Sequence, residues 1–170
     1  MARPSLDVVR SFLAGSGTDN RGRTLDQILR QDDDWLEDTH DFIQWLFPID
    51  SPSGVNPDAP VVTAQAARRL CDTAAVPANL HRSLCRMAAF YGLAVQESGI
   101  ERAANYLARV PVWAMRPTHN DLRITRILRS LTLFGLLRDA HRFRNATLAA
   151  IREYRRDARV ERYWEAAISG

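Results

Sequence analysis

The sequence contains no lysine; all 23 of its basic residues are arginine. Arginine forks bind carboxylate and phosphate bidentately, which lysine cannot do. A GC-rich genome is the expected cause of the absence. Cysteine is scarce as well. Cys71 and Cys85 stand alone, without a CxxC spacing, so a reduced, buried pair is expected rather than a disulfide. No apolar run approaches the roughly 20 residues that span a bilayer, and no apolar signal core follows Met1-Ala2-Arg3-Pro4-Ser5. A cytoplasmic protein without a membrane span is the expectation, or one exported by a route that leaves no such mark. The sequence also lacks internal repeats, a low-complexity tail, a glycine-rich phosphate loop, GxSxG, HExxH and any DNA-binding motif.

What remains is ordinary globular material, 46% hydrophobic and 25% charged, and 170 residues suffice for one domain with a real core. Charge is distributed unevenly. Residues 1–60 hold 11 acids against 5 arginines, a net of −6, and residues 61–170 hold 9 acids against 18 arginines, a net of +9. The basic half is suited to an anionic partner, or to folding against the acidic half.

Helix signals follow one another along the chain. Leu6, Val9, Phe12 and Leu13 mark a helix over about 5–14, ended by Gly15. Thr24 and Gln27 form a capping box for a short helix. Asp32, Asp33 and Asp34 suit a helix N-terminus, and that helix is expected to run to about Phe47, where Pro48 stops it. Four prolines between Pro48 and Pro60 predict an ordered loop. Thr63 caps a helix over about 64–74, and Pro77 suits the first turn of the next, which ends at Gly92. A short helix near 100–109 should end before Pro111. Thr118 caps a helix that runs to Gly135, and a last long helix carries Ala140, Phe143, Thr147, Ile151 and Tyr154 at spacings of three and four. Its basic stretch is expected to extend from Arg138 to Arg162. No segment alternates with period two for long enough to predict a strand. The expected class is all-α, a single compact domain over 1–170 of about seven helices, the last reaching about residue 165.

Two segments carry polar groups in arrangements that suit a ligand. In Asp34 to Pro48, an advance of about 100° per residue puts Trp35, Leu36, Phe42, Ile43, Leu46 and Phe47 on one face. Asp34, Glu37, Asp38 and Asp41 fall on the other, with His40 and Gln44 at the border. Trp45 falls among the carboxylates, either as part of a ligand surface or beneath a neighbouring element. In Arg116 to Leu131, His119, Arg123, Arg126 and Ser130 share one side of a helix that is apolar nearly all round, so it should be central. Its arginines then need partners, either acids within the protein or an anion held at the helix N-terminus with Asn120 and free backbone N–H groups. The ligand-binding set is therefore His40, Gln44, Trp45, His119, Asn120, Arg123 and Arg126. Glu37 and His40 make half of a di-iron carboxylate motif without a second half, and His81 beside Cys85 is a weak nucleophile pair. No metal and no cofactor are expected.

The same two segments carry a family resemblance. His40-Asp41-Phe42-Ile43-Gln44-Trp45-Leu46-Phe47-Pro48 and His119-Asn120-Asp121-Leu122-Arg123-Ile124-Thr125-Arg126-Ile127-Leu128-Arg129-Ser130-Leu131 resemble two words of the opioid growth factor receptor conserved region. Asn56-Pro57-Asp58-Ala59-Pro60, Phe90-Tyr91-Gly92-Leu93, Asn105-Tyr106 and Gly135-Leu136 fall in the matching order. The resemblance covers roughly residues 20–150. It implies a helical domain from a family named for animal proteins that bind an enkephalin peptide and act at the nucleus. It supplies no catalytic residues to carry over. The long tail of those proteins is missing, so a stand-alone bacterial member is expected.

The leading expectation is a binding module that holds a peptide or small anionic ligand between the Trp45 helix and the Arg123 helix. Three others stand beside it: nucleic-acid binding through the basic half, acid–base catalysis by His40 and His119, and an oligomerising domain that uses the basic last helix.

Overall fold

A computed structural model of the chain describes residues 3–54, 56–155 and 159–169. These form ten helices and one short β-hairpin, and none of the helices is long and apolar enough to cross a membrane. The chain divides into two compact units, Met1–Ser83 with Leu133–Gly135, and Leu84–Thr132 with Leu136–Gly170.

The first unit contains α1 (Leu6–Leu13), α2 (Leu25–Leu29), α3 (Asp33–Asp38), α4 (Ile43–Leu46), α5 (Ala64–Cys71) and the first half of α6 (Ala75–Phe90). Four of its helices, α1, α2, α3 and α5, are held by side-chain caps. Ser5, Asp32 and Thr63 each accept a backbone N–H three residues on, and Thr24 and Gln27 form the reciprocal capping box. Each such cap stabilises by about 1 kcal/mol, which matters for helices of five or six residues that could not persist alone. Phe12, Leu13, Leu25, Ile28 and Leu36 are fully buried beneath them. The proline loop closes on itself where the Val62 N–H donates to the Ile49 carbonyl at 2.9 Å, and it is neither helix nor strand among its described residues apart from an isolated bridge between Ile49 and Val61.

The second unit contains the rest of α6, strands β1 (Leu93–Val95) and β2 (Ile100–Arg102), α7 (Tyr106–Ala114), most of α8 (His119–Leu133), α9 (Leu137–Tyr154) and α10 (Arg159–Ser169). Tyr91 organises its core. Its ring meets Trp113 edge-on with centroids 5.2 Å apart and Phe90 at 4.9 Å, and its carbonyl accepts the Trp113 indole N–H at 3.1 Å. Gly92 stops α6 with φ +80°, and a Cβ there would lie 3.0 Å from the Tyr106 Cα. Both the positive φ and the close approach require glycine.

Four expectations need correction. The helix from Asp32 to Phe47 is two helices, parted at Thr39, whose backbone is extended. One continuous helix would leave some of the seven large apolar residues in this stretch in water. The break turns α4 so that Ile43, Gln44, Trp45 and Leu46 are all buried. The helix near 100–109 is instead a hairpin strand followed by α7, which carries Pro111 inside it. Burial of Val110, Trp113 and Ala114 outweighs the hydrogen bond that proline cannot make. Two strands exist where none was expected, paired antiparallel with Leu93 opposite Arg102 and Val95 opposite Ile100. The last helix is broken at Arg155, and a separate α10 begins at Arg159.

Candidate ligand site

A polar cleft of about 670 Å³ opens in the first unit. The turn before α2 supplies Asn20, Arg21 and Arg23, α3 supplies Trp35 and Asp38, the break after it supplies Thr39, His40 and Asp41, and the proline loop supplies Asn56 and Asp58. One wall is a fixed chain of charges. The Asp19 carboxylate, fully buried, accepts the backbone N–H groups of Arg21 and Arg23 at 2.8 and 2.9 Å and Arg23 Nε at 2.7 Å. Arg23 Nη2 then donates to Asp41 Oδ1 at 2.8 Å, and Arg21 Nε donates to Asp41 Oδ2 at 3.0 Å. The Arg23 guanidinium lies 5.5 Å from the Trp35 ring centroid, so the aromatic is held against the cation. Charged hydrogen bonds of this kind fix side chains that would otherwise sample many rotamers.

Burial alone would raise the pKa of Asp41, but the hydrogen bond and charge of Arg23, and then those of Arg21, outweigh it and hold the carboxyl below its ordinary 3.8. A depressed carboxylate stabilises the fold above its unfolded pKa and ceases to do so as pH falls through the folded value. Asp41→Asn should therefore lower stability near neutrality by a few tenths to about 1 kcal/mol, the range of partly exposed ion pairs. The difference should vanish in acid. Urea unfolding at a series of pH values checks this; a pH-independent difference would assign the loss to packing.

The expected site residues fall in both units. His40 is exposed and lines the cleft. Gln44 and Trp45 are buried beside it on α4, at 4% and 1% exposure. The Trp45 indole N–H donates to Asn20 Oδ1 at 3.1 Å, and its ring meets Phe12 edge-on at 5.2 Å. Trp45 thus supports the segment that carries Asn20 and Arg21 into the cleft. Gln44 Oε1 is buried and has no hydrogen-bond partner among the described residues.

His119, Asn120, Arg123 and Arg126 lie on α8 in the second unit. Asn120 is fully buried and Arg123 is 5% exposed. Asn120 Oδ1 accepts Arg123 Nη1 at 3.3 Å and the Tyr91 hydroxyl at 3.4 Å, so these polar groups are turned toward one another inside the unit. His119 and Arg126 are half-buried. Burial, and then the charge of Arg129, brings the Arg126 pKa down to about 10.

Three features escaped the sequence reading. Asp19 and Arg23 anchor the cleft, and their signal was the Asp-Asn-Arg-Gly-Arg turn, in which an aspartate accepts the N–H two residues on. Arg155 is 5% exposed. Its guanidinium donates to the carbonyls of Trp113, Ala114 and Arg116 at 2.9 to 3.0 Å and to both oxygens of Asp121 at 2.9 and 3.0 Å. The signal for it was the end of the apolar spacing at Tyr154. A hairpin of three-residue strands leaves no comparable trace. Among the described residues, no three histidine, cysteine, aspartate or glutamate side chains converge as metal ligands would.

The profile of the opioid growth factor receptor (OGFr) conserved region matches residues 19–150. Opioid growth factor receptors of Homo sapiens, Rattus norvegicus and Mus musculus are 41%, 39% and 38% identical over 106 residues, 61% of this chain. Those residues make up only 15%, 18% and 16% of the three receptors, so the match concerns a small part of each. No solved structure matches the chain. With its profile covering most of the sequence and both of its long words in place, the chain belongs to the opioid growth factor receptor conserved-region family.

Proposed function

We propose that this protein is a ligand-binding domain, that its site is the polar cleft of the first unit, and that its ligand is a short peptide. The observation that carries the reading is the fixed wall of opposite charges, Asp19, Arg23, Asp41 and Arg21, beside an aromatic ring in a cleft of about 670 Å³. A free-ended peptide presents charge of both signs together with amides that Asn20 and Asn56 can bond. A small anion fits less well. Both arginines are already bonded to carboxylates, and three carboxylates, Asp38, Asp41 and Asp58, line the cleft against two arginines. The names of the relatives, receptors of an opioid growth factor, agree with a binding role. In this reading His40 contacts the ligand, Gln44 and Trp45 hold the wall from behind, and the α8 set serves the second unit. The protein works in the cytoplasm, with Cys71 and Cys85 as free thiols.

Native mass spectrometry of the purified chain with a pool of short, free-ended peptides tests the reading. A peptide adduct should form, and Arg21→Glu and Asp38→Asn, both exposed substitutions, should abolish it while leaving the circular dichroism unchanged. No adduct from the pool, or an adduct indifferent to both substitutions, overturns it.

A further inference from the structure

A second opening lies wholly in the second unit and has the opposite character. It is a groove of about 300 Å³ with apolar walls formed by Pro117 and Leu122 on one side and Val160 and Tyr163 on the other. Its polar lining includes Asp121, whose carboxylate is neutralised by Arg155 at 2.9 Å. Leu122 is 75% exposed and Tyr163 55%, and with Pro117 and Val160 they form one apolar patch around a concavity, the kind of surface that marks an interaction site. Arginines outnumber acids at and beside the groove. Arg159 lines the groove, Arg116 precedes Pro117, and the Arg162 guanidinium lies 4.8 Å from the Tyr163 ring centroid. The unit as a whole holds 15 arginines against 8 acids, a net of +7. Arg155, Arg159, Val160 and Tyr163 lie beyond residue 150, where the family match ends, so one wall of the groove falls inside the match and the other outside it.

We infer that this groove docks an acidic amphipathic helix of a partner protein, with one large apolar side chain seated between Leu122 and Tyr163 and carboxylates facing Arg116, Arg159 and Arg162. The sign of the rim selects the acidic partner, and the concave apolar strip selects a helix presenting spaced anchors. An anionic membrane offers the same charge, but a bilayer surface fills a concave groove poorly. The cleft of the first unit plays no part in this docking.

Fluorescence anisotropy on the full chain tests it, with a labelled helical peptide of leucine, tryptophan and glutamate as probe. The same peptide with lysine in place of glutamate and vesicles containing phosphatidylserine serve as comparisons. The acidic peptide should bind saturably, and the lysine peptide should not. Leu122→Glu, a change at an exposed position, should weaken binding about 30-fold, the loss expected of a central anchor. Arg159→Glu should weaken it too, and Arg21→Glu should leave it unchanged. Equal binding of the lysine peptide, indifference to Leu122→Glu, or vesicle binding through Leu122 without peptide binding overturns the inference.

Discussion

Arg155→Met should lower the free energy of unfolding by about 3–5 kcal/mol, the loss typical when one partner of a buried ion pair is removed. The arginine sits where two helices leave groups unsatisfied. The last carbonyls of a helix have no intrahelical donor and carry partial negative charge. Arg155 bonds the carbonyls of Trp113 and Ala114 at the end of α7 and that of Arg116 just beyond. The remaining edge of the guanidinium grips Asp121 in the first turn of α8. Methionine keeps much of the volume and none of the donors, so the carbonyls and the Asp121 carboxylate lose their partner at once. Arg155→Lys should recover little, because a single ammonium cannot reach carbonyls and a carboxylate in one plane. Urea denaturation of the three proteins measures this, and a loss under 1 kcal/mol in Arg155→Met would show that the clamp contributes little.

Trp45→Ala should cost a comparable 3–5 kcal/mol, the range for removing a buried tryptophan. The side chain is 1% exposed, it contributes an edge-on contact with Phe12, and it donates a hydrogen bond to the Asn20 side chain. Trp45→Phe should restore most of the stability without restoring the hydrogen bond. The pair of variants separates two roles. If Trp45 acts only by holding Asn20 and its neighbours in place, Trp45→Phe keeps near-native stability and loses part of the ligand affinity. Thermal unfolding beside peptide titration reads both. A Trp45→Ala protein as stable as the parent would contradict the packing described above.

The all-α class was legible because burial of one helix face imposes spacings of three and four, and the caps at Thr24 and Thr63 declared where helices begin. The break at Thr39 was not legible. A helical wheel presupposes an unbroken helix, and the partner that Trp45 meets once the chain has broken, Phe12, lies 27 residues before Thr39 in sequence. The same limit hid the site. His40 was found because it flanks a long aromatic word, whereas Arg21 and Arg23 join Asp41 across 20 and 18 residues, and only the folded chain reveals that pairing. Pro111 was read by its local rule and obeyed its tertiary surroundings instead. Arg155 looked like one more solvated arginine of a basic helix. Nothing in its neighbours announces that its partners lie 34 to 42 residues upstream.

That distance also sets an order in time. A chain made from its N-terminus presents Trp113, Ala114 and Asp121 well before Arg155 exists, and Trp164, whose indole N–H reaches the Asp121 carbonyl at 3.3 Å, comes later still. During synthesis α7 must therefore end, and α8 begin, with their terminal groups bonded to water. The second unit can close around its buried arginine only once the ribosome has released the segment after α9, whereas residues 1–83, the bulk of the first unit, can begin to pack while the second is still being made.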